Sequence, residues 1–204
     1  MGSKLTGLFR TLTWADFKGP QPSSNPDKML AETKTVTSKP FFTFTSEGKG
    51  ATKTWQLNDS IVIDITIDSN KSWKLPSVDS MAQAEKDRLL KHEQGHYNLV
   101  ALLARDMFIE LMQVKAVRTA APQDALKLCT DIQTRYANIT QPLQDLYDNK
   151  AETDHFRNIP KQTKWDGFIN TSFTKARASQ MTAPDGTLYK EEILTVLRSN
   201  GITI

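Results

Sequence analysis

Between Met81 and Pro122 the chain holds no proline and one glycine, Gly95. Apolar residues recur along that stretch at Leu89, Leu99, Leu103, Met107, Leu111 and Val114, at spacings of mostly three and four. One face of an α-helix buries such a stripe. A helix of this length runs about the full width of a small domain, so the other elements must be arranged around it. Pro76 and Ser77-Val78-Asp79-Ser80 read as its start, with Ser80 and Gln83 as a capping box.

Residues 92 to 96 of that helix read His-Glu-Gln-Gly-His. Histidines four apart lie one above the other on the same face, because a turn takes about 3.6 residues. His92 and His96 also fall on the apolar stripe, where an unsatisfied ring is costly, in a chain with three histidines in all. A shared metal ion accounts for both, and Zn²⁺ is the usual occupant of a nitrogen-rich site. Glu93 leans over the same face without binding the metal, placed to take a proton from a metal-bound water. The pattern is that of a zinc metallopeptidase helix. Gly95 costs such a helix about 1 kcal/mol relative to alanine, which a close approach by another segment near the metal would justify.

A catalytic zinc takes a third protein ligand and leaves a position for water. The metzincin pattern puts a histidine six residues after His96, where this chain has Leu102. The gluzincin pattern takes a glutamate from a following helix. Glu110 stands 14 residues along the same helix, about 21 Å away in rise, and the next glutamate is Glu152. His155 is the one remaining histidine, with Asp148 and Asp154 as competitors for the third position.

The segment Leu89 to Tyr97 (Leu-Leu-Lys-His-Glu-Gln-Gly-His-Tyr) resembles the core of a bacterial domain family of unknown function described as secreted zinc-dependent proteases. The second half of that family's signature runs Tyr-Asp, Thr, His-Gly, Gln and Trp. Here it reads Tyr147-Asp148, Thr153, His155, Gln162 and Trp165. The run Leu12-Thr13-Trp14-Ala15-Asp16-Phe17-Lys18-Gly19 and the pair Ser72-Trp73 are similar as well. The resemblance covers most of the chain, from about residue 12 to about residue 170. It implies His155 as third ligand, a peptide or protein substrate, and export to the periplasm or beyond. Phe156 stands where the family has glycine, which alters the backbone demands of that loop and the room left for substrate.

A chain of 204 residues suits one domain, taken as 12–178, between an N-terminal extension (1–11) and a C-terminal turn and helix (179–204). With 38% hydrophobic and 24% charged residues, it reads as an ordinary globular protein. The net charge of +3 forms no basic stripe, so nucleic-acid binding has no support. Cys129 is the sole cysteine, which excludes an intrachain disulfide and a cysteine-based zinc cluster. The opening residues carry no apolar h-region, and no run is long enough to span a bilayer. Localisation therefore stays open between export and the cytoplasm, and so does oligomeric state.

Strands come first and helices after. Residues 20–30 form a proline-rich loop. Thr33 to Ser38, Phe41 to Ser46, Thr52 to Leu57 and Ile61 to Ile67 are β-branched or aromatic and partly alternate. Ile61, Ile63, Ile65 and Ile67 share one face. Gly48 and Gly50 mark a hairpin, and Asn58-Asp59-Ser60 another turn. Pro122 separates two helices, and Pro142 starts or kinks a third segment before Lys150. A last helix spans Leu188 to Arg198, entered by Pro184-Asp185-Gly186-Thr187 and stopped by Gly201.

The expected architecture is an α+β, zincin-like fold: a small antiparallel or mixed sheet, a metal-binding helix, then further long helices. The expected function is that of a zinc metalloendopeptidase, a hydrolase with Glu93 as general base. Tyr147 is placed to donate a hydrogen bond to the oxyanion, and Asp148 to fix the tautomer of a ligand histidine. Trp14, Trp55, Trp73 and Trp165 are read as core. An edge strand beside the metal helix would bind the peptide by strand addition, with Ser72-Trp73 as the candidate. Two other readings stay open: a zinc hydrolase of a non-peptide bond, and a metal-stabilised binding module with Phe156 capping the metal.

Overall fold

A computed structural model describes residues 2–25, 27–179 and 193–202, with side chains left aside from 175 to 179. The described strands are β1 (Lys4–Thr6), β2 (Ala31–Glu32), β3 (Thr35–Thr37), β4 (Phe44–Glu47), β5 (Thr54–Leu57), β6 (Val62–Ile67) and β7 (Trp73–Lys74). The helices are α1 (Gln83–Val114), α2 (Pro122–Asp148), α3 (Ile159–Ser179) and α4 (Ile193–Ser199). The chain is α+β, with small sheets packed against helices.

The long helix is the hub, packing on α2, α3, α4, β2, β3 and β6. Its apolar stripe understates its burial, since every residue from Leu99 to Ile109 is buried. A helix buried all round has partners on every side. It starts differently from the expectation. Pro76–Ser80 form a separate 3₁₀ turn, the N-cap is Ala82 with no side-chain cap, and Gln83 bonds Asp87 instead of closing a box with Ser80. Pro122 opens α2 as its first residue, whereas Pro142 lies inside α2 without ending it. The carbonyl that Pro142 deprives of a donor belongs to Asn138, which is solvent-exposed. Gly201, at φ +79°, stops α4 as expected, while the turn at residues 184–187 lies outside the described residues. No described helix is long and apolar enough to cross a membrane.

β6 alternates exposed and buried residue by residue, with Ile63, Ile65 and Ile67 inward. It is the centre of a mixed three-stranded sheet, parallel to β1 and antiparallel to β3. Lys4–Thr6, within the first eleven residues, supply a strand of this sheet. β4 and β5 form the expected hairpin, with Gly48 at φ +83° in its turn. β2 pairs with β7, where Trp73 is buried and its indole N–H donates to Glu32 at 2.7 Å.

β3 is an edge of the sheet. Lys34 O accepts from Asp68 N at 2.8 Å, and Ser38 N donates to Asp64 O at 2.9 Å. Antiparallel bonding alternates along a strand, so the bonds to β6 fall at Lys34, Val36 and Ser38. The main-chain groups of Thr35 and Thr37 point to the open side.

Candidate metal centre

His92 and His96 lie on adjacent turns of α1, and both are buried. Gly95 between them has its reason in α2, because a Cβ there would run into the hydroxyl of Tyr147. The Tyr147 ring stacks on His92 with centroids 4.8 Å apart and planes 8° from parallel. That close approach brings the end of α2 onto the histidine pair, and with it Asp148. Among the described residues, His92, His96 and Asp148 form the group of side chains able to hold a metal ion.

The hydrogen bonds behind the rings fix which nitrogens face that point. Gln162 Nε2 donates to Asp166 Oδ1 at 2.8 Å and to the Tyr147 hydroxyl at 2.6 Å. A carboxylate only accepts, so the amide orientation of Gln162 is settled, and its Oε1 faces His92 Nδ1 at 2.9 Å. Gln144 does the same for His96: its Nε2 donates to the His96 carbonyl at 3.0 Å, and its Oε1 takes the His96 Nδ1 proton. Each neutral imidazole then presents a bare lone pair at Nε2. The two Nε2 atoms stand 3.2 Å apart, and each is 2.9 Å from Asp148 Oδ1.

Three lone-pair atoms thus face one another with no hydrogen to share. Such a contact is repulsive unless a cation lies among them. In the metal-free site a proton plays this part. Burial works against a charge on His96, yet the Asp148 carboxylate, with Glu93, holds its pKa up at about 9. Burial would likewise raise Asp148, but His96 and the contacts from His155 and His92 hold it well below the usual carboxylate range. A divalent ion satisfies all three atoms at once. The spacing fits, since a tetrahedral ion at about 2.0–2.1 Å from two nitrogens separates them by about 3.3 Å.

His155 stands one step further out than the sequence suggests, its Nδ1 3.3 Å from Asp148 Oδ1. The turn that carries it is unusual. Asp154, His155 and Phe156 have φ of +47°, +48° and +72°, a run of left-handed backbone that costs non-glycine residues about 1–2 kcal/mol each. Phe156 thus adopts the conformation that glycine takes freely. Its ring is buried, 6.4 Å from that of His92. The turn is braced by Thr153, whose hydroxyl donates to the Tyr147 carbonyl, and by Asn158 N on Thr153 O at 2.9 Å. Trp165 meets Tyr147 edge-on at 5.2 Å. Tyr147, Asp148, His155 and Gln162 thus stand against the histidine pair, with Thr153 and Trp165 behind them on Tyr147.

The site opens on a cleft of about 470 Å³ lined by α1, α2, the 154–157 turn and the segment from Met29 to Thr35. Carboxylates outnumber Lys and Arg six to three around it, which favours a cation. Glu93 lines the cleft, only 2% exposed, its Oε2 accepting from the Thr33 hydroxyl at 2.7 Å. Tyr147, expected at an oxyanion, is instead fully buried and outside the cleft lining, its hydroxyl held between Gln162 and the His92 carbonyl. Burial keeps its proton on. Ser72-Trp73, expected as the peptide-binding edge, also lies outside the lining, where the 31–35 segment stands instead. Asp154 lines the cleft and pairs with Arg157, while Glu110 is engaged by Arg135 and Tyr136 on α2. Gln144 was not foreseen. Its one signal is the four-residue spacing to Asp148, which puts both on one face of α2. Compared with protein-family models, curated proteins and solved structures, the chain finds no match in any of the three.

Proposed function

We propose that this chain is a zinc-dependent peptidase of zincin-like architecture, with Glu93 as general base and His92, His96 and Asp148 as metal ligands. One observation carries the reading: two imidazole Nε2 atoms and a carboxylate oxygen converge beside a second, buried carboxylate in an open cleft. Two imidazoles and a carboxylate suit zinc, which when bound supplies a Lewis acid that brings the pKa of a water toward 7. The chain's own residues do the rest. Glu93, aligned by Thr33, takes a proton from the attacking water and passes it to the leaving amine. Gln144 and Gln162 hold both rings in the tautomer that leaves Nε2 bare. His155 braces Asp148, so the two exchange the roles read from the sequence. Support for a peptide substrate comes from β3, whose open edge at Thr35 borders the cleft and offers main-chain partners to an extended chain.

The test is bound zinc per chain, by plasma mass spectrometry, alongside hydrolysis of a mixed peptide pool. About one zinc per chain, kept by Glu93→Gln while hydrolysis collapses, is the expected result. Asp148→Ala and His155→Ala identify the third ligand by which of them loses the metal. A closed four-ligand site without turnover is the second reading, favoured by Asp148 and His155 standing together at the histidine pair. Zinc retained by a wild type that cuts nothing would select it. Hydrolysis of esters but not peptides would instead select a non-peptide substrate.

A further inference from the structure

Next to the cleft lies a second pocket of about 300 Å³ that the chemistry above leaves unused. Val100 and Thr140 line both, so the two adjoin. Its floor is apolar: Leu103, Ala104 and Met107 of α1 and Tyr136 of α2 are all buried. Among the described residues Lys39 is the one charged residue around it, and it is exposed. Such a floor rewards a large apolar side chain, and Thr37, Ser38, Gln133, Thr134 and Thr140 form the polar walls around it.

Three elements agree on how the pocket follows from the metal centre. Along α1 the order is His92 and His96, then Val100, then Leu103, Ala104 and Met107. Along β3 it is Thr35 at the cleft, then Thr37, Ser38 and Lys39 at the pocket. Along α2, running backwards, it is Asp148 and Gln144, then Thr140, then Tyr136. A chain paired to the open edge of β3 is thereby led from one to the other. The step from His96 to Leu103 and Ala104 is about 11–12 Å of helix, or three to four residues of extended peptide at about 3.3 Å each.

We infer that this pocket is a specificity subsite, selecting substrates with a large apolar side chain three or four residues from the scissile bond. The inference rests on the peptidase reading, and its test separates the two. Alanine–serine octapeptides ending in a hydroxamate, which chelates zinc, fix the register at the metal. One leucine is moved along the host, and a mirror series carries the hydroxamate at the N-terminus. Binding is measured by fluorescence anisotropy to zinc-loaded Glu93→Gln protein, so that nothing is cut.

In one of the two series affinity should peak about tenfold with leucine at the third or fourth position. Ala137→Phe, which projects a ring into the pocket from an exposed position on α2, should remove that peak. Hydroxamate binding with no leucine peak overturns the subsite and leaves the metal reading standing. Leucine-dependent binding that Ala137→Phe abolishes, with no gain from the hydroxamate over a plain amide, overturns the metal reading and leaves the pocket. No binding by any peptide overturns both.

Discussion

α1 carries two buried clusters of charged or titratable groups nine residues apart, and they are built on opposite principles. At Arg105 and Asp106 donors meet acceptors. The guanidinium donates to Asp106 Oδ1 from two nitrogens and to the Ser172 carbonyl at 3.1 Å, while Asp106 Oδ2 accepts from Ile193 N at 2.7 Å. That cluster ties α3 and α4 to the hub. At His92, His96 and Asp148 the atoms that meet are all acceptors once His96 has given up its proton. The lesson is that burial of charge says little about function, whereas the balance of donors and acceptors says a great deal.

Four perturbations test this contrast, in order of decreasing effect. Glu93→Gln should lower turnover of a cleaved peptide by about 10³-fold, within the range of general-base removal, while zinc stoichiometry holds; normal turnover would remove Glu93 from the chemistry. Arg105→Met should break the buried Arg105–Asp106 pair, costing about 3–5 kcal/mol in urea unfolding. The folded fraction of that variant should still bind zinc, so loss of both would merge two clusters that we separate. Gln144→Leu should weaken zinc binding about 10- to 100-fold by freeing the His96 tautomer, with an unchanged affinity showing that the amide is incidental.

The smallest effect per step is on pH. His96, held at about 9 in the metal-free protein, must lose its proton before its Nε2 can bind zinc. Apparent zinc affinity should therefore rise about tenfold per pH unit between 7 and 9 and level off above. The sign reverses for metal-free stability. A histidine raised on folding contributes fully below its unfolded value near 6.5, and that contribution is lost as pH rises through about 9. Calorimetry across that window should show the metal-free protein melting progressively earlier, and a flat profile would mean that His96 is neutral throughout.

Much of this site could be read from the chain before folding. The period of α1 placed both histidines on a buried face, and the cost of Gly95 pointed to a close neighbour, which is Tyr147. The alternation of β6 was equally plain, because six residues with one buried side leave a period-two record. Other features left no such record. β1 is three residues long and pairs in parallel with a strand nearly sixty residues on, so no turn or local pattern announces it. The position of His155 beside Asp148 follows from three successive left-handed residues, a path that Asp, His and Phe do not advertise. Gln144 and Gln162 act through the side of each ring facing away from the metal, where spacing rules for ligands carry no information.

The Tyr147 hydroxyl seated in the notch at Gly95 has a kinetic corollary. It works as a pin: α2 cannot slide along α1 by a turn, about 5.4 Å, without driving that ring into a side chain above or below. The placement of Asp148 against the histidine pair is thus imposed by a steric stop before any ion arrives. If the site takes a metal as proposed, capture is a docking event onto a rigid seat, with no folding step behind it. Its heat-capacity change should be close to zero and its on-rate limited by dehydration of the ion.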